Sequence, residues 1–227
     1  MKFNTPFLVL LFTVIFVSHA QEIKAPIFGK GIVNIVGKDS SFTMKIGARI
    51  QILGTYAWEL DNGEFINPFS NMLIRRARIK FDGFAFSPKL VYKIELGLSN
   101  RDMSGTSLYT RNSPRIIMDA VMKWNFHGNF VLWFGQTKLP GNRERVISSA
   151  DLQFVDRSIL NAQFNIDRDV GVQLRHHIKF SDAFVLREIL AISQGEGRNV
   201  TQGNQGGFQY TGRLEFLPFG VGSLPQQ

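Results

Sequence analysis

Residues 71–86 read Asn71-Met-Leu-Ile-Arg-Arg-Ala-Arg-Ile-Lys-Phe-Asp-Gly-Phe-Ala-Phe86. Taken with period two, the stretch divides into two faces. Leu73, Ala77, Ile79, Phe81 and Ala85 share one; Arg76, Arg78, Lys80 and Asp82 share the other. Such alternation marks a strand with different surroundings on its two sides. Three successive cations cannot face an apolar core, because burying unpaired charge costs several kcal/mol or more. That face must meet water, anions or carboxylates. If the apolar face meets lipid, the basic face lines a channel.

The pattern extends in both directions. Upstream, Phe42, Met44, Ile46, Ala48, Ile50, Ile52 and Tyr56 alternate with Thr43, Lys45, Gly47, Arg49, Gln51 and Thr55. Downstream, Leu90–Ser99, Ile116–Phe126, Phe130–Thr137, Val170–His177, Phe184–Ser193 and Phe208–Phe216 read as further strands, and Ile32–Val36 as a short one. The connections alternate in length. Long ones are expected at 59–70, 100–113, 140–167 and 194–207, short ones at 87–89, 127–129 and 179–182. About eight strands of roughly ten residues, with long loops sorted to one end, are the pattern of a transmembrane β-barrel. A closed barrel pairs every backbone group internally, as lipid requires. Tyr56, Trp58, Trp124, Phe126 and Phe216 fall near strand ends, where aromatic girdles sit. The expected fold is therefore all-β, an antiparallel transmembrane barrel.

Composition is consistent with this. The 227 residues include 21 Phe, 21 Gly and no Cys, with a net charge of +8. Disulfides and thiolate metal sites are excluded. Residues 1–20 have the form of a cleaved secretory signal: Lys2, the apolar run Phe7–Val17, and Ser18-His19-Ala20 before Gln21. Residues 21–40 then form a lead-in, and 41–227 the barrel domain. The expected location is the bacterial outer membrane, with its lipid as partner.

Several stretches, in this order, resemble the phosphate-selective porin O and P family. They are Ile46-Gly-Ala-Arg-Ile-Gln51, Asn71–Gly83, Tyr92-Lys-Ile-Glu-Leu-Gly-Leu-Ser99 and Trp133-Phe-Gly-Gln-Thr-Lys-Leu-Pro140. Glu144–Ser149, Phe154–Ser158, Asp169-Val-Gly-Val-Gln173 and Thr211–Gly220 follow. The resemblance implies a trimeric, sixteen-stranded outer-membrane channel with an arginine ladder and a central lysine site for phosphate. Arg49 matches the first-strand arginine, and Arg75-Arg76 the paired arginines of the second strand. Lys138 and the Arg143–Arg145 region fall where the third long loop folds into such a pore. Eight strands are half of sixteen, and the chain ends Gly222-Ser-Leu-Pro-Gln-Gln227 just after a turn. Two expectations follow: a piece of a larger barrel, or an eight-stranded barrel whose lumen side chains fill.

The polar faces carry Lys45, Arg49, Arg76, Arg78, Lys80, Lys93, Lys123, Arg175 and Arg213, against Asp82, Glu95, Asp119 and Glu215. Lys138 joins the basic set through the resemblance. Rings of Arg and Lys select anions in pores, and the arginine fork bonds two phosphate oxygens at once. The bland alternative is cross-strand pairing that merely holds the wall together. Four acids cannot neutralise nine bases. Arg75 has lipid-side parity and is expected to snorkel to headgroups. No catalytic constellation is set up: Ser148-Ser149 lacks a nucleophile-elbow context, and His176-His177 point to opposite faces. Nucleic acid is disfavoured, since aromatics and cations occupy opposite faces. The expected function is passive anion diffusion, phosphate among the anions, without cofactor or metal. The alternative is a non-conducting small barrel with a structural or adhesion role.

Overall fold

A computed structural model describes residues 32–103, 107–164, 166–181, 184–202, 204 and 206–219. The expected leader, 1–20, and the lead-in up to 31 lie outside them. Nine strands form one antiparallel sheet in sequence order: β1 (Val33–Val36), β2 (Thr43–Asp61), β3 (Glu64–Ala85), β4 (Ser87–Gly97), β5 (Ile117–His127), β6 (Phe130–Lys138), β7 (Arg168–Lys179), β8 (Val185–Ser193) and β9 (Gln209–Leu217). The count is nine rather than eight because Val33–Val36 pairs with β2 across Val36 and Thr43. Among the described residues β1 and β9 do not pair with each other, so the sheet has two edges. No described helix is long and apolar enough to cross a membrane.

The sheet is built inside out. Outward residues are bulky and apolar, with Ile50 72% and Tyr210 73% exposed, and Ile52, Leu190, Leu214 and Phe216 similarly bare. The buried set is largely polar: Arg76, Asp119, Thr137, Arg168, Asp169, Gln173 and Ser193. A water-soluble domain buries the first group and exposes the second. A sheet facing lipid on one side and a polar interior on the other does the reverse. Aromatic rows mark both ends of the apolar surface. Trp124, Phe126 and Phe130 run in sequence at centroid spacings of 5.7 and 6.1 Å, and Phe130 stacks on His176. At the other end, Tyr56 meets Trp58 edge-on at 4.7 Å, and Trp58 leans on Phe65.

The expected loop at 59–70 is a correction. β2 and β3 stay paired as far as Asp61 and Glu64. Only Asn62 and Gly63 turn, both at positive φ (49° and 87°), which suits a two-residue hairpin. Asn67 and Pro68 look like loop residues, yet they sit in a bulge between Ala57 and Glu59 on the partner strand. A bulge tolerates a proline without a donor. At 19 and 22 residues, the two strands exceed the ~10 residues that cross a bilayer. The hairpin therefore projects beyond the apolar belt. The other long connections, 98–116, 139–167 and 194–208, leave the same end of the sheet; the short turns lie at the opposite end.

Gly135 fixes one close approach. Its φ is +119°, and a Cβ there would lie 2.2 Å from the Ala120 carbonyl oxygen. That oxygen is backbone in a paired strand and cannot swing away. Gly135→Ala is expected to abolish the heat-modifiable, compact band of the folded protein in unheated gels. Gly141→Ala, whose added carbon meets only a Thr211 methyl at 3.3 Å, is expected to keep it.

Candidate functional site

Connection 139–167 returns over the inner face of the sheet and is bonded to it at several points. Lys138 Nζ donates to the carbonyls of Val146 and Ile147, both at 3.2 Å. Arg49 Nη2 donates to Ser149 Oγ at 2.7 Å. Arg76 Nη2 donates to the Val155 carbonyl at 2.8 Å, and Arg213 Nη1 to the Pro140 carbonyl at 2.7 Å. Within the loop, Glu144 accepts from the Ser158 amide and hydroxyl and from Asn161 Nδ2 at 2.7–2.9 Å. Asn142 caps the short helix Arg143–Val146, and Ser158 caps Ile159–Gln163. The loop is thus a folded strap, not a slack connection.

Between strap and sheet lies a cavity of about 580 Å³. Seven of the ten sequence-predicted cations line it: Arg49, Arg78, Lys80, Lys93, Lys123, Lys138 and Arg175. Lys45, Arg76 and Arg213 do not. Lys45 stands opposite Asp82 across the β2–β3 register. Arg76, 3% exposed, is consumed by Gln51 Oε1 at 2.6 Å, the Val155 carbonyl and Asp156. Arg213 Nη2 meets Glu215 at 2.5 Å.

Ion pairs divide the lining cations. Arg78 is bidentate on Asp102, at 2.9 and 2.6 Å, and reaches Glu95 at 3.2 Å. Lys93 bridges Glu95 at 3.0 Å and Asp119 at 2.6 Å. Lys80 meets Asp82 at 2.8 Å. These three are largely neutralised, as the bland alternative required. Arg49, Lys123, Lys138 and Arg175 make no ion pair with any described carboxylate. Arg175 instead donates to Gln173 Oε1 at 2.8 and 3.2 Å. Arg175 and Lys123 lie 3.6 and 3.9 Å from the centre of the Trp133 ring.

Three residues that matter here carry no periodic signal. Arg168 is 4% exposed and bridges Asp119 at 3.0 Å and Asp167 at 2.6 Å. It stands at the first position of β7, where parity carries no information. Asp102 lies in the short helix Asn100–Met103, and Asp156 in the strap, both outside any periodic stretch. Arg75 is a correction. A register shift opposes Gln51 to Arg76 and Ile52 to Ile74, leaving Arg75 as the extra residue of a bulge. A bulge re-aims its side chain, so Arg75 binds Asp156 on the strap rather than headgroups.

An inside-out antiparallel sheet, an in-folded third loop and a basic inner wall occur together over residues that match the phosphate-selective porin O and P family from 50 to 226. The chain belongs to that family. No curated protein matches it significantly. As a porin it is of the outer-membrane β-barrel class, and its family is one of channels. Among the described residues, no three His, Asp or Glu side chains converge as a metal site.

Two strap carboxylates give a pH expectation. Hydrogen bonds from Ser158 and Asn161 hold the Glu144 carboxyl below its ordinary range. At Asp156, burial pushes the carboxyl up, but Arg75 and Arg76 outweigh it and the net shift is downward. A depressed folded value means stabilisation that is present above the unfolded value, about 4, and is lost as pH falls through the folded one. The protection factors of amides in 140–167, which correct for the intrinsic pH dependence of exchange, are therefore expected to be the same at pH 5 and pH 7, and to fall only below about pH 4. In Glu144→Gln the lower protection should already be present at pH 7.

Proposed function

We propose that this porin conducts anions across the outer membrane along the basic inner face, with the strap 139–167 narrowing the path. Phosphate is the anion this reading favours, and a trimer the assembly, both on the strength of the family. The observation that carries it is the set of lining cations without carboxylate partners: Arg49, Lys123, Lys138 and Arg175. A wall whose charges were all paired would hold strands together and attract nothing. An excess on one side of a confined path raises the local anion concentration and replaces part of the hydration shell. The weight thus moves away from Arg76, which anchors the strap, and Arg78, which Asp102 and Glu95 satisfy.

The test is the reversal potential of single channels in a planar bilayer under a KCl gradient, then with phosphate added. A cation about 4 Å from a passing anion contributes roughly 1 kcal/mol in water-like surroundings, about a fivefold change in occupancy. Lys123→Gln and Lys138→Gln are each expected to lower the anion preference by up to that factor. Together they should weaken phosphate block further. Arg78→Gln, which leaves Asp102 buried and unpaired, is expected to reduce the yield of folded protein instead. Unchanged selectivity in the Lys123/Lys138 double variant would defeat the reading.

A further inference from the structure

Trp133 lies on the inner wall of the cavity, where Tyr92 is the other aromatic lining residue, while Trp124 and Phe134 beside it point outward. Parity explains its position. Trp133 stands directly opposite Lys123 on β5 and opposite Gln173 on β7, with Arg175 two residues further on. An indole among cations is a poor choice for packing alone. Its faces carry negative potential, and a cation within about 6 Å of the ring centre is attracted. Both Lys123 and Arg175 lie well within that limit, at 3.9 and 3.6 Å. Gln173 holds the guanidinium in place from below.

The contrast with the neighbouring cations is informative. Lys93, one register step from Lys123 on the same wall, is held by two carboxylates. Those carboxylates position it and also cancel its charge. A neutral ring positions a cation without cancelling it. We propose that Trp133 is a positioning residue of the anion path: it holds Lys123 and Arg175 side by side as a carboxylate-free pair whose full charge faces passing anions. This deepens the pore reading and rests on it for its biological meaning, but the pair itself can be probed without conduction.

The experiment has two arms. In the first, Trp58→Phe and Trp124→Phe leave Trp133 as the only tryptophan of the folded protein in detergent. Its fluorescence is quenched with iodide, caesium and neutral acrylamide. Iodide gathered by two unneutralised cations is expected to quench several-fold more steeply than caesium, and phosphate should suppress the difference. Adding Lys123→Gln and Arg175→Gln should cut it sharply. Equal quenching by iodide and caesium would overturn the proposal. In the second arm, bilayer selectivity and phosphate block are compared for Trp133→Phe and Trp133→Leu, after both pass the heat-modifiability check. Phe keeps an aromatic face and is expected to retain most of the anion preference. Leu keeps bulk without the face and is expected to lower phosphate affinity about fivefold. Equal behaviour of Phe and Leu would overturn the positioning role. If the parent protein conducts no anion yet iodide outpaces caesium, the charged pair stands and the pore reading falls. If it conducts anions and iodide has no advantage, the reverse holds.

Discussion

The wall of this porin depends on a chain of opposite charges that no solvent could replace. Asp102, Arg78, Glu95, Lys93, Asp119, Arg168 and Asp167 succeed one another in ion pairs of 2.6–3.2 Å. The chain runs from the helix after β4, across β3, β4 and β5, to the start of β7. Asp119 is fully buried and Arg168 nearly so. A buried ion pair seldom adds much stability over an apolar substitute, but removing one member costs about 3–5 kcal/mol by stranding the other. The lipid-facing side cannot supply register, since one hydrocarbon tail is like another. The charge chain supplies it, because a one-residue slip of a strand would carry that strand's members to the lipid face.

Beside that chain, four of the lining cations meet no described carboxylate. Arg49 and Lys138 hold the strap through a hydroxyl and carbonyls, and Lys123 and Arg175 lie against Trp133. None of these partners carries a negative charge. Carboxylate-paired and carboxylate-free cations are thus separated among residues of the same type on the same face. The separation follows from what each cation touches, not from where it sits.

Strand periodicity was legible because each strand separates two environments, and period two reports that directly. Ile50, Ile52, Arg76 and Arg78 show it without help from the rest of the chain. It failed where the count is broken. The bulge at Arg75 shifted one side chain across the sheet, and the bulge at Asn67-Pro68 disguised a strand as a loop. Bulges are set by pairing with a neighbour and leave little mark on a single strand. The division of cations into paired and open was legible only in part. Asp82, Glu95, Asp119 and Glu215 share the polar faces with their partners, but Asp102, Asp156 and Asp167 arrive from the connections, where position in sequence says nothing about position in space.

The strap is gripped by its backbone as well as by Ser149 and Asp156. The carbonyls of Pro140, Val146, Ile147 and Val155 accept from Arg213, Lys138 and Arg76, and every residue has a carbonyl to offer. Side chains along the strap other than Glu144, Ser149 and Asp156 can therefore change without loosening its hold on the wall. The rim of the cavity can be rewritten at those positions while the carbonyl contacts are kept, so the loop is open to variation in a way the charge chain beneath it is not.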